Sequence, residues 1–269
     1  MSGADAQGWP TIQTVYDVKV AQKTVTLRAE TCMIEHKRIS LITGIGVLMC
    51  GRIKQAKSEK DYIETFRSND YTILGAPPGL RFNIPPGTTP WTIHRLDDDE
   101  WHGQRLFWGY KPPWYKRSPA SNARLDTVLK GSPFWKPLLT KRILVPADGW
   151  YEWTGEKGEK QPWYISPKDG EPIFMAGITA WQPGHEALAE SGFAIITDDA
   201  AGGMVDIHDR RPITLTIDDA QAWLDPNLSV DKALELLSTP RPESAFHWWE
   251  VTRKMGNSRY QLADASAAT

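Results

Sequence analysis

Cysteine is almost missing from this chain: only Cys32 and Cys50 occur in 269 residues. Two cysteines cannot build a disulfide framework, and no C-x-x-C pair or Cys/His cluster stands at ligand spacing, so no metal site is expected. Cys50 is expected to be a free thiol. Long apolar runs are missing too. The longest, Ile39 to Cys50, falls short of the ~20 residues that span a bilayer. It also lies too far from the start for a secretory signal and is followed at once by Arg52 and Lys54. A cytoplasmic protein without a membrane partner is expected. Net charge of one sign is also small, at −2, which argues against a uniformly basic nucleic-acid binder.

The near-neutral total conceals an asymmetry. Residues 50–142 carry 16 Lys/Arg against 9 Asp/Glu, whereas residues 143–269 carry 10 against 20. A basic half beside an acidic half hints at a polyanion-binding surface. Tryptophan is abundant. Eight of the 13 fall between Trp91 and Trp163; most must fill a core, leaving one or two to stack on bases.

Local patterning predicts α+β architecture with a strand-dominated core. A short helix is expected at Asp61–Phe66, and Pro-rich, Trp-rich, strand-like text follows Gly75. Lys141–Val145 reads as a strand entering a turn at Pro146-Ala147-Asp148-Gly149, with Trp150–Trp153 as the next strand. Trp163–Ile165, Ile173–Ile178 and Phe193–Thr197 read as further strands. Helices are expected from Ile217-Asp218-Asp219 through Trp223, and over Val230–Leu237 with Asp231 at the N-cap. The polar, small-residue tail after Leu262 is expected to be disordered.

Four segments join a reactive or polar side chain to a turn, where a rigid support exposes it. They are Met49-Cys50-Gly51-Arg52, Ser121-Asn122-Ala123-Arg124, Gly149-Trp150-Tyr151-Glu152-Trp153 and Ile207-His208-Asp209-Arg210-Arg211-Pro212. They supply a thiol, an amide, a carboxylate and an imidazole, types used in nucleophilic catalysis. The residues alone leave other readings open. A lone Cys is usually a small buried hydrophobe, Glu152 fits the solvent-facing position of an alternating strand, and Asn122 and His208 fit an Asx turn and a satisfied loop histidine.

Taken in order, these segments resemble the SOS-response-associated peptidase (SRAP) family of abasic-site processing proteins. The resemblance also rests on Arg81-Phe82-Asn83-Ile84-Pro85-Pro86, Trp108-Gly109 with Pro113-Trp114, and Val145-Pro146-Ala147-Asp148 leading into Gly149. It spans most of residues 49–215. Trp150, Arg211 and Gly87 stand where the family commonly has Phe, Met and Thr, and none of these departures removes a reactive group. The resemblance implies twisted antiparallel or mixed sheets in a barrel-like core with a few peripheral helices. It implies an SRAP domain at 49–240, followed by a C-terminal extension at 241–269.

Family members expose a cysteine at the N-terminus, whereas 48 residues precede Met49 here. A misassigned start is therefore expected, with a self-cleaved leader as the second explanation. The implied partner is single-stranded DNA containing abasic sites, bound by a monomer without metal or organic cofactor. The implied catalytic set is Cys50 as the aminothiol, Glu152 as general acid/base, His208 in sugar-ring opening and crosslink reversal, and Asn122 holding Cys50 and the sugar. Arg52 and Arg124 would contact phosphates, Pro86 and Trp114 would wedge or stack against bases, and Asn83 would add a polar DNA contact. The alternatives are a thiol (auto)peptidase using Cys50 with His208, a noncatalytic single-strand-binding module, and a purely structural protein.

Overall fold

The computed structural model describes residues 51–65, 79–98, 100–156 and 158–269. Cys50, the stretches read within residues 1–48, Phe66 and the start of the segment after Gly75 lie outside these residues.

Among the described residues, thirteen strands form two sheets. The first has the order β13-β8-β7-β1-β2: β1 is Arg52–Gln55, β2 Arg81–Ile84, β7 Gly149–Thr154, β8 Gln161–Pro167 and β13 Phe246–Glu250. The second has the order β11-β10-β9-β6-β3-β4. Its strands are β3 Trp91–His94, β4 His102–Arg105, β6 Arg142–Ala147, β9 Ile173–Thr179, β10 Phe193–Asp199 and β11 Arg210–Pro212. Two short strands join it: β5 (Asn122–Arg124) runs parallel to β10, and β12 (Thr214–Leu215) pairs with β9. The α+β, strand-dominated expectation holds, but as two sheets and not as one closed barrel.

Because successive strand side chains point to opposite faces, each sheet contributes to two layers. Ile143, Val145, Ile173, Met175, Phe193 and Ile195 of the second sheet pack with Ile53, Ile84, Trp150 and Ile165 of the first. The alternate residues Leu144, Phe174, Ala176, Ala194 and Ile196 form a separate core with Ala220, Trp223, Ala233 and Leu237. These last four come from or adjoin α3 (Ile217–Trp223) and α4 (Val230–Leu236), which follow α1 (Glu59–Glu64) and α2 (Leu125–Leu129) along the chain. The outer face of the first sheet packs Tyr151 and Tyr164 against Val251, Met255 and Ala265.

Several local expectations shift. The first helix among the described residues, α1, is Glu59–Glu64, set by a capping box between Ser58 and Asp61. Thr216 and Ser229 are the N-caps of α3 and α4, each accepting the backbone N–H of the third helix residue. Asp231 instead occupies the first turn of α4, where its charge opposes the helix dipole favourably. The expected turn at Pro146–Gly149 is a change of sheet: β6 continues to Ala147, and Asp148 alone separates it from β7. A Cβ on Gly149 would stand 2.2 Å from the Ile165 carbonyl oxygen and 2.7 Å from the Tyr164 hydroxyl, so only glycine allows this crossing.

The C-terminal segment is tied to the first sheet, and its tail after Leu262 is not disordered as its composition suggested. β13 pairs with β8 over five residues, and Ala265 is fully buried. Trp249 Nε1 donates to the Ser266 carbonyl at 2.9 Å and Lys54 Nζ to Ser266 Oγ at 3.1 Å. A polar tail becomes ordered here because the outer face of the first sheet offers it aromatic cover and backbone partners.

Candidate functional site

Glu152 lies on β7 between Tyr151, which belongs to the outer core, and Trp153. Alternation therefore turns Glu152 to the same side as Trp150, into the space between the sheets. It is 1% exposed, which overturns the solvent-facing reading of this position. A carboxylate this deep is costly unless it is partnered or put to use. Asn122 comes from the second sheet. Its register partner is Ile195, whose side chain belongs to the inter-sheet core, while the next residue, Ala123, packs on the helix side. Two bonds fix this strand: Trp108 Nε1 donates to the Ser121 carbonyl at 2.9 Å, and Ile195 N donates to the same oxygen at 3.0 Å.

His208 follows a 3-10 turn at Gly202–Asp206 and precedes β11. It is 6% exposed. Its Nδ1 lies 3.1 Å from both the Arg210 backbone N and Asp209 Oδ1. These contacts serve different protonation states: the neutral ring accepts from Arg210 N–H, and the imidazolium donates to Asp209. Burial pulls the His208 pKa down, but the Asp209 hydrogen bond, the Glu152 charge and the Asp209 charge outweigh it and leave it above the ordinary value. Asp209 is held below the usual carboxylate range, chiefly by its hydrogen bond to His208. Glu152 and His208, 56 positions apart in sequence, thus share one electrostatic environment.

The cationic residues divide. Arg124 is exposed and forms a bidentate pair with Asp126, at 2.9 Å and 3.2 Å. That hydrogen bond, outweighing partial burial, raises its pKa, and the charges of Asp199 and Asp209 add to the effect. Arg124 therefore borders the His208 loop. Arg52 pairs in register with Tyr151, and its guanidinium lies 5.7 Å over the Trp153 ring, on the face of the sheet away from Glu152. Trp114 is 63% exposed and meets Tyr115 and Phe134 edge-on, as a stacking platform requires. Pro86 lies in the loop after β2, where Gly87 N donates to the Trp108 carbonyl at 2.9 Å.

Asn83 does not fit the expected DNA contact. It is fully buried, its Nδ2 donates to the Met255 and Asn257 carbonyls at 3.3 Å and 3.0 Å, and its backbone pairs with the Gln261 amide. Its amide satisfies the C-terminal segment, a partner too remote in sequence to be foreseen. Cys50 lies outside the described residues. Its chain neighbour Gly51 is buried, and β1, starting at Arg52, pairs with β7.

Asp209 and Arg210 lie inside the Ile207–Pro212 motif without a sequence signal of their own, and Arg210 is buried, donating to Asp199 Oδ1 at 2.8 Å and to the Thr197 carbonyl at 2.9 Å. Asp126, two residues beyond Arg124, could have been noticed as its ion-pair partner. Among the described residues, Asp97, Asp98 and His102 bring ligand-type atoms within 4.8 Å of one another. This trio belongs to the β3–β4 hairpin and shares no residue with the inter-sheet site. No helix among the described residues is long and apolar enough to cross a membrane.

Comparison with known proteins gives this geometry a context. The family profile described as SOS response associated peptidase (SRAP) matches residues 49–258. Abasic site processing protein YedK of Escherichia coli is 38% identical over 223 residues, which cover 80% of this chain and 98% of that protein. Abasic site processing protein YoqW of Bacillus subtilis is 32% identical over 76% of this chain and 92% of its own length. The solved structure of a phage-related protein from Bordetella bronchiseptica is 46% identical, with a TM-score of 0.69 over 79% of this chain and 99% of that one. The profile reaches past the expected boundary at residue 240, in keeping with the place of β13 in the first sheet. On this match, the chain belongs to the SOS response associated peptidase (SRAP) family.

Proposed function

We propose that this protein captures abasic sites in single-stranded DNA as a covalent thiazolidine formed by Cys50 once that residue is N-terminal. The observation that carries the reading is the buried Glu152 carboxylate acting electrostatically on His208, a proton-handling pair beside the strand that carries Asn122. Relatives named abasic site processing proteins support it.

The chemistry follows from the functional groups. A ring-opened abasic site is an aldehyde. The α-amine of Cys50, with a reference pKa of about 7.7–8.0, is partly free at neutral pH and attacks the carbonyl carbon. The carbinolamine loses water to give an imine. The thiol then adds to the imine carbon while its proton moves to nitrogen, closing a five-membered ring with the net loss of one water. Glu152 shuttles the protons for dehydration, and His208 protonates the ring oxygen during sugar opening and the nitrogen or sulfur on reversal. Asn122 orients the aminothiol. Arg124 and Arg52 hold phosphates without reading sequence, and Trp114, with Pro86, stacks or wedges against the flanking bases.

An internal Cys cannot follow this route, because its nitrogen is an amide. Residues 1–48 with Met49 are therefore either not part of the active protein or removed from it. Self-removal would use the Cys50 thiol against the preceding carbonyl, with His208 or Glu152 moving the proton, which is the sense in which a peptidase activity enters. The test is incubation of a chain beginning at Met49, with its methionine removed, with single-stranded DNA bearing one abasic site. A heat-stable crosslink is expected, lost in Cys50→Ala while noncovalent, salt-sensitive binding persists. A heat-stable crosslink that survives Cys50→Ala contradicts the proposal.

A further inference from the structure

His208 stands on an irregular segment, and a side chain from the far C-terminal region braces that segment on both sides. Glu243 begins a 3-10 turn just before β13. Its Oε1 accepts the Ala201 backbone N–H at 2.5 Å, ahead of His208, and lies 3.9 Å from Arg211 Nε, beyond it. Arg211 is tied to the same region again, donating Nη1 to the Arg241 carbonyl at 2.7 Å. The loop sits close against this brace. A Cβ on Gly202 would stand 3.1 Å from Glu243 Oε2, and one on Gly203 would stand 3.3 Å from the Trp248 ring.

The loop transmits this restraint. Met204 is buried in the inter-sheet core and its carbonyl accepts the backbone N–H of both Ile207 and His208, at 3.0 Å and 3.1 Å. Ala200 N donates to the Asp209 carbonyl at 2.8 Å and closes the loop at its base. With both ends and the middle held, the imidazole has little freedom to leave the position from which it meets Asp209 and feels Glu152. Catalytic geometry is sensitive to displacements on the order of 1 Å, each worth up to about 100-fold in rate.

We infer that Glu243 is a positioning residue for His208, acting through the Ala201–His208 loop from a segment outside the motifs that carry the chemistry. The inference rests on the reading of the site proposed above. Its test uses single-turnover crosslinking and reversal rates of the chain beginning at Met49, the stretch that contains both sheets and the family match. Glu243→Ala is expected to slow the His208-dependent step by about 10- to 100-fold. Glu243→Gln keeps an oxygen for Ala201 N–H and is expected to stay within about threefold of the parent. On a His208→Ala background, Glu243→Ala is expected to add no further loss, because both substitutions disable one unit. Gly202→Ala disturbs the same stretch from the loop side, through the strain of a side chain at φ +55° as well as through the Glu243 contact, and should show the same non-additivity, which covers the case that Glu243→Ala fails to fold. A parental rate in Glu243→Ala, or losses that multiply with that of His208→Ala, overturns the inference. A parent protein that forms no crosslink brings down the functional reading itself, and this inference with it; an intact parental rate with an unaffected Glu243→Ala brings down the inference alone.

Discussion

His208 and His94 are both buried imidazoles, at 6% and 2% exposure, yet their surroundings drive them in opposite directions. His94 stacks on His102 with ring centroids 5.5 Å apart and packs against Trp181. Burial, together with the neighbouring His102, pushes its pKa down to about 4 against a weak opposing pull from Asp98. At His208 burial acts in the same sense but is outweighed by Asp209 and Glu152. Depth alone therefore lowers the pKa of a histidine, and neighbouring acids reverse that: at His208 the hydrogen bond to Asp209 leads, and the buried Glu152 charge adds to it.

The substitution expected to have the largest effect removes this charge. Glu152→Gln preserves shape, and crosslinking should slow by about 10²–10⁴-fold, with the His208 titration moving to lower pH. Single-turnover rates and imidazole proton shifts measure both, and an unchanged rate would return Glu152 to a structural role.

The two histidines should also leave opposite marks on stability. His94 has a folded pKa of about 4, below its unfolded value near 6.5. Its contribution is complete above the unfolded value and is lost as pH falls toward 4, to the extent of about 3 kcal/mol. His208 is raised, so its contribution is present below the unfolded pKa and is lost as pH rises through the folded one. Denaturant midpoints of the parent and His94→Gln between pH 7 and 4 check the first sign: the variant should lose the steep acid limb.

Asn83 extends the contrast to a buried polar group with a purely architectural part. Asn83→Ala strips two donors from the C-terminal segment and should cost roughly 2 kcal/mol while leaving the crosslinking rate alone. A selective loss of DNA binding without loss of stability would restore the DNA contact that its motif suggested. The smallest effect is expected at Asp98→Asn. Its bond to His102 lies near the surface at 2.7 Å, so the denaturation midpoint should barely move, with the crosslinking rate unchanged.

Much of the scaffold was legible because it obeys local rules. β9 and β10 are apolar runs buried on both faces, and α3 was recognised over its full length to Trp223. The four chemistry-bearing segments were legible as motifs, and the structure brings Asn122, Glu152 and His208 to neighbouring strands and loops around the space between the sheets. What escaped depends on tertiary context. Alternation cannot say which face of β7 meets a second sheet, so Glu152 looked solvent-facing. The order of the C-terminal segment comes from Trp249 and from Lys54 and Asn83, the last two far away in sequence, and Glu243 carries no local pattern that links it to His208.

The central claim is that the Cys50 nitrogen must be an amine. Intact mass spectrometry on the 269-residue chain and on a chain beginning at Met49, each mixed with single-stranded DNA bearing one abasic site, tests it most directly. The account predicts an adduct equal to protein plus DNA less one water for the short chain after methionine removal, and none for the long chain until the Met49–Cys50 bond is cut. Efficient adduct formation by protein whose first 49 residues are demonstrably intact would contradict it and point to a lysine Schiff base.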